Sequence, residues 1–477
     1  MKRPMVLCGA AAICLSLLMI RAVENFVWLS VVVFVVLAAM LLLFKRFSHI
    51  IPLLLVSIII LLISVRCVKE TENIKMAKLL DKVETIKGVV TDVNYNENSV
   101  SYIIKTDKIK INLISTKGVR AKLGDKIGAD IRVISAGEYA DLSRGAHAAA
   151  YLMKLKSLEK TNSLYSRLDT MRKDIKNLFF ESGGGDEAAM LIGLTLGEKG
   201  YISYALSDNI RRSGVSHMIV VSGLHLGIIV GAFLNIARRV KINRILTGAI
   251  GILMVLFIIA LTGFTVSVMR SALAYLILLF GYILGRKPDA TNSLFAAVLI
   301  LCLVNPLVVT SVSFQLSVSA TFGVLVVAPA INAVIMKNKG EKWYDKIAAI
   351  LSSVVSTSFA ATLMTLPFTL WHFGVLSTVS ILTNLLTNHL VTVVLIFAVF
   401  GVAVCFISPL CELILLLARV AVKLQIYFIN SLGSLPFAEY SASSPKILAT
   451  ITFCIAAGFA YFIKKTEKGV TKNGSSF

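Results

Sequence analysis

Hydrophobic residues fall along this chain first in long unbroken runs, then in alternation, then in long runs again. Three apolar stretches open it, at about 4–20, 26–44 and 50–65, each of the order needed for a helix to cross a hydrocarbon core. Residues 85–135 then alternate apolar and polar with period two, the pattern of half-buried strands. Asn96-Glu97-Asn98-Ser99 and Thr106-Asp107-Lys108 interrupt that alternation as turns, and "KLGDKIGADIRV" turns tightly into a further strand. Four or five such strands with no long helix among them predict a small closed or nearly closed barrel of the oligonucleotide-binding type, an OB-like domain.

The period changes again over 162–182, "NSLYSRLDTMRKDIKNLFFES". Leu164, Leu168, Met171, Ile175, Leu178 and Phe179 share a helical face, and Arg167, Arg172, Lys173 and Lys176 lie largely between them. Such a helix is too charged to span a bilayer. It either lies in the interface plane or packs on the protein itself. After "SGGGDE" the apolar runs resume, first in a glycine-punctuated stretch too short for a span. "YALSDNIRRSGVSHMIVVSGLHLGIIVGAFLNIARRVK" then leads into the first clear span of this half, which ends in Arg238, Arg239 and Lys241, and further spans are expected at about 244–262, 266–285, 291–310, 313–335, 347–370, 388–408, 411–432 and 446–463. The pattern therefore divides the chain into about three N-terminal transmembrane helices (1–66), a β-rich domain (67–160), an interfacial helix (161–185), a multi-helix membrane domain (186–464) and a basic tail (465–477). The expected fold class is a polytopic α-helical membrane protein with a small extracytoplasmic all-β domain.

Composition agrees with this reading. The 477 residues are 57% hydrophobic with a mean hydropathy of +0.83, above the ~45–50% of soluble domains. Net charge is +22, and much of it marks cytoplasmic loops. Lys2 and Arg3, Lys45 and Arg46, Arg238, Arg239 and Lys241, Arg286 and Lys287, and Lys464, Lys465 and Lys468 all fall on ends that the alternation of spans makes cytoplasmic. Both termini are then cytoplasmic and 67–160 lies outside, in a multi-pass protein of the cell membrane. The first residues could pass for a signal peptide, but two more apolar runs follow closely and a retained helix fits better. Residues 66–165 hold 18 Lys/Arg against 12 Asp/Glu, which suits either a solvated surface or contact with a polyanion. The seven cysteines show no metal-ligand spacing and serve as small hydrophobes. No metal site and no cofactor is expected.

Polar residues inside apolar runs point to function, because hydrocarbon offers them no partner. Four places qualify. In "SGVSHMIVVSGLHLGIIVG", His217, Ser222, Gly223 and His225 stand at the threshold of a span, and Ser222 and His225 are three apart on one helical face. The glycines there permit either close helix packing or a break lining a wet cavity. A nucleophile–base pair is the weaker alternative, since no orienting acid is near and "SGLH" is not the GxSxG elbow. Arg270 lies about one turn inside a span, to snorkel or to face a polar path, where a guanidinium suits phosphate. Gln315 sits in a Ser/Thr-rich helix, as interhelical glue or as a pore wall. Residues 366–391, with Pro367, Trp371, His372, Gly374, Asn384, Asn388 and His389, predict a helix end, a re-entrant turn and a second helix.

These same residues carry a resemblance. "RRSGVSHMIVVSGLHLGIIVG" resembles the signature of the ComEC competence family, and "LTGFTVSVMRSALAYLILLFGYILGRKPDATNSL" is similar to that family's TG…RA helix and following GR…D..N.L loop. "NPLVVTSVSFQLSVSATFGVLVVAP" looks like its FQLSF helix, and "LPFTLWHFGVLSTVSILTNLL" its P…FG..S segment, all in the same order. The resemblance implies an inner-membrane channel for transforming DNA, through which one strand passes. It also implies partners: single-stranded DNA, the lipid bilayer, and other competence proteins such as a DNA receptor, a motor and a separate nuclease, with a homo-oligomer open. Lys105, Lys108, Lys110, Lys117, Arg120 and Lys122 of the external domain are the candidate DNA contacts, through salt-sensitive phosphate pairing. Tyr95, Tyr102 and Tyr139 are the aromatics available for stacking. Long members carry a C-terminal metallo-β-lactamase-like domain, but no HxH motif occurs in this sequence. The expectation is a short member without that nuclease. No P-loop is visible, so energy would come from elsewhere. A transporter of another, anionic solute is the alternative reading, and an intramembrane hydrolase a more distant one.

Overall fold

The computed structural model describes residues 62–459 with short gaps, the longer ones being 96–99, 117–120, 137–145, 219–222 and 336–342, and upstream only residues 10 and 13. The three opening apolar runs lie almost wholly outside the described residues, as does the tail 465–477. Two compact units are present: Met1–Ile175 with Glu198–Gly200 and Val230–Phe314, and Lys176–Gly197 with Tyr201–Ile229 and Gln315–Phe477.

The first unit contains a closed five-stranded barrel. Its strands are β1 (Val83–Tyr95), β2 (Val100–Lys105), β3 (Lys110–Ser115), β4 (Lys126–Ala136) and β5 (Ala148–Glu159), in the order β1-β2-β3-β5-β4. All neighbours are antiparallel except β3 and β5, which run parallel from Ile111↔Ala148 to Ile114↔Tyr151. Period-two alternation turns Ile86, Val90, Ile104, Ile111, Ile127 and Ile131 into one interior cluster. Each such buried side chain contributes about 1.5–3 kcal/mol. The alternating stretch 85–135 supplies four strands, and the fifth lies beyond it. In β5 the small residues Ala148, Ala149 and Ala150 are all buried, so no alternation announces its start. Tyr102 belongs to the interior and is 1% exposed, which removes it as a stacking platform. Tyr151, half exposed on β5, is an aromatic the sequence reading left out.

Helix α1 (Leu164–Ser182) follows the barrel, and then α2 (Gly185–Leu196), α3 (Tyr204–Arg212) and α4 (Gly223–Arg239). The first unit continues with α5 (Arg244–Thr262), α6 (Val266–Ile283) and α7 (Ala290–Val304), where α6 packs on both neighbours. Gly248 and Gly251 bring α5 close beneath Ile283 and Leu279 of α6. Short connections make the three antiparallel, so the C-terminal ends of α5 and α7 share one end of the layer with the N-terminus of α6. Two arginines flanking the barrel in sequence meet that end. Arg66 donates to the carbonyls of Leu303 and Val304 (3.3 and 3.0 Å), and Arg172 of α1 to that of Leu261. Each satisfies terminal carbonyls and complements a helix dipole.

The second unit is helical. A run of α8 (Val312–Phe322), a π-turn (Gly323–Val327) and α9 (Ala328–Ile335) packs on α10 (Trp343–Phe373), with the Gly323 backbone against the Ala360 carbonyl. A short strand β6 (Val375–Ser377) leads into α11 (Ser380–Ala403), which forms a hairpin with α12 (Ser408–Gly433). Gly401 of α11 lies against Leu415 of α12. Strand β7 (Glu439–Ser441) pairs with β6, and a short helix α13 (Pro445–Ala456) follows. Between Phe373 and Ser380 the chain thus makes a paired strand, and α11 begins earlier than the expected span at 388.

Among the described residues, four helices are long and apolar enough to cross a membrane: Arg244–Thr262, Val312–Ile335, Ser352–Phe373 and Ser380–Ala403. Helices α6, α7 and α13 are apolar but shorter. The expected span at 411–432 is the long helix α12, which carries Glu412, Arg419 and Lys423. The protein is a membrane protein.

Candidate functional site

Two of the sequence-flagged segments come together in the second unit. Ser203 caps α3 by accepting the Leu206 N–H, and Asp186 holds Ser203 in turn through its backbone N–H and hydroxyl. Helix α3 ends at Arg212, and Gly214 follows with φ +77°. That left-handed residue turns the chain so that its backbone abuts the start of α11. A Cβ at Gly214 would lie 2.6 Å from Ser380 Cβ and 2.8 Å from Ser377 Cβ. Further on, the Thr387 hydroxyl reaches the Met218 sulfur at 3.3 Å. On the α12 side, Asn209 donates to the Asn430 side chain at 3.0 Å, Arg212 to the Leu435 carbonyl, and Arg211 pairs with Glu439 of β7. Residues 209–218 are therefore held between the start of α11, the end of α12 and the strand pair.

This junction buries polar groups. Ser380, Thr383, Asn384 and Thr387 lie on the inward face of α11. Thr383 and Thr387 satisfy their hydroxyls on carbonyls one turn back. Asn384 Oδ1 and Ser377 Oγ make no hydrogen bond, and neither do the two amide atoms of Gln425 on α12, which is fully buried. Buried amides without partners are expensive in an apolar surround, at about 1–3 kcal/mol each. His225, near the start of α4, is 1% exposed, whereas His217 sits exposed in the preceding turn. Gly223 begins α4. Ser222 lies outside the described residues, so its pairing with His225 has no geometry here. Among the described residues no group of three or more His, Cys, Asp or Glu converges as a metal site.

Two further flagged residues meet at the end of α10. His372 Nε2 and Gln315 Oε1 are 2.7 Å apart, which joins α8 to the last turn of α10. Pro367 is buried inside α10 and leaves the Leu363 carbonyl without its usual helical donor. Trp371 is half exposed, with Lys446 Nζ 6.0 Å from its ring centroid.

A charged triad escaped the sequence reading. Glu187 of α2 accepts from Arg419 Nε at 3.2 Å and faces Lys423 Nζ at 3.4 Å, both on α12. Arg419 also donates to the Ser182 carbonyl. The signal was available: Arg419 and Lys423 are four apart on one face of an otherwise apolar helix.

Arg270 belongs to the first unit. It is in the first turns of α6, 3% exposed, and so it is covered by protein and not extended to an interface. On the barrel, Lys105 ends β2 opposite Lys110 of β3, while Val89 of β1 pairs with Lys105 on one side and Lys126 of β4 on the other. Three cations therefore cross four adjacent strands at one level, Lys126 also facing Glu159 at 3.8 Å. Lys108, Lys117, Arg120 and Lys122 lie outside the described residues. Near this row the entry of β5 is fixed by His147. Its Nδ1 accepts the Lys110 N–H at 2.9 Å, so Nε2 carries the ring proton and donates to Glu70 at 2.8 Å.

The buried polar groups of α10, α11 and α12 lie within a family match: the family described as Competence protein covers residues 194–467. The chain belongs to this family. The match includes His217, His225, Arg270, Gln315, Pro367, His372, Asn384, Arg419 and Gln425, while the barrel and Glu187 precede it. Similarity extends to "ComE operon protein 3" of Bacillus subtilis, 27% identical over 201 residues, or 42% of this chain and 24% of that protein. "Recombination protein 2" of Haemophilus influenzae is 26% identical over 272 residues, 54% of this chain and 33% of that protein. The aligned region thus spans between a quarter and a third of the length of these curated relatives. No solved structure matches the chain.

Within the Competence protein family region, the structure unites three of the four flagged places in one unit. The segment at 213–218 packs on 377–387, and Gln315 bonds to His372. The fourth, Arg270, belongs to the first unit.

Proposed function

We propose that the protein conducts single-stranded DNA across the cell membrane during competence, acting as a conduit and not as an enzyme. The membership of residues 194–467 in the Competence protein family carries this reading. The buried, partner-poor amides of Asn384 and Gln425 support it, because a wet path needs polar walls that lipid-facing helices do not need. In this reading the polar junction around Gly214 lines the path.

The barrel is the capture domain and is of the OB type. Its five closed strands and the cations on its second and third strands fit an oligonucleotide-binding surface. Strands are ~4.8 Å apart, so Lys110, Lys105 and Lys126 follow a backbone without reading its bases. With Tyr102 inside, contact rests on phosphates. In this reading the barrel is extracytoplasmic, because the alternation of spans that puts Arg238, Arg239, Lys241, Arg286 and Lys287 on cytoplasmic ends puts residues 67–160 outside. A motor and a DNA receptor are the partners this reading calls for.

Labelled single-strand uptake and transformation frequency, with and without this gene in a demonstrably competent strain, test the reading. Loss of both on deletion is expected. Unchanged uptake, or loss of transport of a small anion alone, would replace DNA by another solute. Replacing Lys105, Lys110 and Lys126 by alanine should weaken strand binding and flatten its salt dependence, the log–log slope falling by about 0.7 for each phosphate left unpaired. Ser222→Ala should keep full uptake, and its loss would revive the hydrolase.

A further inference from the structure

Three arginines gather at one end of the α5–α7 layer, and two of them are satisfied. Arg66 and Arg172 donate to the terminal carbonyls of α7 and α5. Arg270, in the opening turns of α6 at that same end, has a different environment. It is 3% exposed, and its Nε makes no hydrogen bond. No carboxylate pairs with it among the described residues. The ionisable group that bears on it is the Tyr275 phenol, which is neutral at pH 7. A buried guanidinium without a counter-charge is strongly unfavourable, and replacement of such a group by a packed apolar side chain is commonly stabilising.

We propose that Arg270 is an anion-binding residue that takes a backbone phosphodiester of the passing single strand; this deepens the DNA-conduit reading and rests on it. Three features favour an anion there. The planar fork fits two phosphate oxygens at once. The N-terminus of α6 adds its positive dipole end. No protein carboxylate competes among the described residues.

The test uses the full chain, purified in a neutral detergent, with thermal unfolding measured alone, with an oligothymidylate and with phosphatidylglycerol. Arg270→Met is expected to unfold a few degrees higher than the parent, because an unpaired buried charge is removed. It should lose the oligothymidylate-induced rise that the parent shows. In cells at equal membrane level it should take up at least tenfold less labelled strand. Arg270→Lys, which keeps the charge without the fork, should fall between the two, and it stands in if the methionine variant fails to insert. A lowered unfolding temperature for Arg270→Met with a retained oligothymidylate response would make the residue structural and overturn the proposal. So would an Arg270-dependent response to phosphatidylglycerol only, which would assign a lipid headgroup. If the parent itself gains nothing from oligothymidylate and deletion leaves uptake intact, the conduit reading fails and the proposal with it. If the parent responds and both variants respond equally, the proposal alone fails.

Discussion

Gly214 and Ser380 touch across the junction between the end of α3 and the start of α11, with no room between them for a methyl group. A Cβ on Gly214 would stand 2.6 Å from that of Ser380, and the glycine's φ of +77° is strained for any other ordinary residue. Backbone strain and overpacking act together at this point, each at about 1–3 kcal/mol. Gly214→Ala should therefore lower the unfolding temperature of the purified protein markedly and reduce strand uptake. Ser380→Gly in the same chain relieves one clash but leaves Ser377 and the left-handed turn. Partial recovery of stability is expected, and full recovery would mean the backbone strain is absent.

The His372–Gln315 bond links α8 to the end of α10 at 2.7 Å. Both side chains are partly or fully accessible, so the coupling should be modest, about 0.5–1.5 kcal/mol. A double-mutant cycle of His372→Ala and Gln315→Ala, read by thermal unfolding, measures it. A coupling indistinguishable from zero would reduce the pair to a chance approach.

Glu70 ties the helical stretch before the barrel to the entry of β5. Burial pushes its carboxyl pKa up, but the His147 hydrogen bond, then Asn73 and the charge of Arg66, outweigh that and hold it below the ordinary 4.5. A carboxyl whose folded pKa is depressed adds stability above its unfolded value, and that stability is lost as pH falls through the folded one. Hydrogen exchange of the β3 and β5 amides should thus accelerate as pH drops below about 4.5, after correction for intrinsic rates. Glu70→Gln should show weaker protection at neutral pH and little further loss on acidification. A parent-like acid response in that variant would assign the sensitivity to another group.

How much of this was visible in the sequence depends on what each element is made of. The barrel's first four strands were legible, because one face is buried and one is wet and period two follows. Strand β5 was not, because three buried alanines erase the alternation at its start and a gap of eleven residues separates it from β4. The long apolar helices could be read from hydropathy alone, yet the start of α11 was misplaced because Ser380, Thr383, Asn384 and Thr387 make its first two turns look like a loop. Those polar residues face inward against 213–218, a tertiary fact no window can see. His372 and Gln315 were each flagged and their pairing was not, since 57 residues separate them. Glu187 was passed over because its partners are on α12, more than two hundred residues away.

That last pairing makes the sharpest test of the second unit. Arg419 and Glu187 are each about three-quarters covered, whereas Lys423 is 60% exposed. Coulomb attraction is screened little for the first pair and strongly for the second. Removing Glu187 leaves a largely covered Arg419 without its carboxylate, with the Ser182 carbonyl still accepting from it. Glu187→Ala should then cost about 1–3 kcal/mol, and Lys423→Ala no more than about 1 kcal/mol. Arg419→Ala with Glu187→Ala should cost less than the sum of the two, because the second change removes a charge that the first has already orphaned. The exchange Glu187→Arg with Arg419→Glu should recover part of the stability but not the bond to Ser182, since a carboxylate cannot donate to a carbonyl. Equal costs for Lys423→Ala and Arg419→Ala would show that the pair is solvated and that α2 is held to α12 by apolar packing alone.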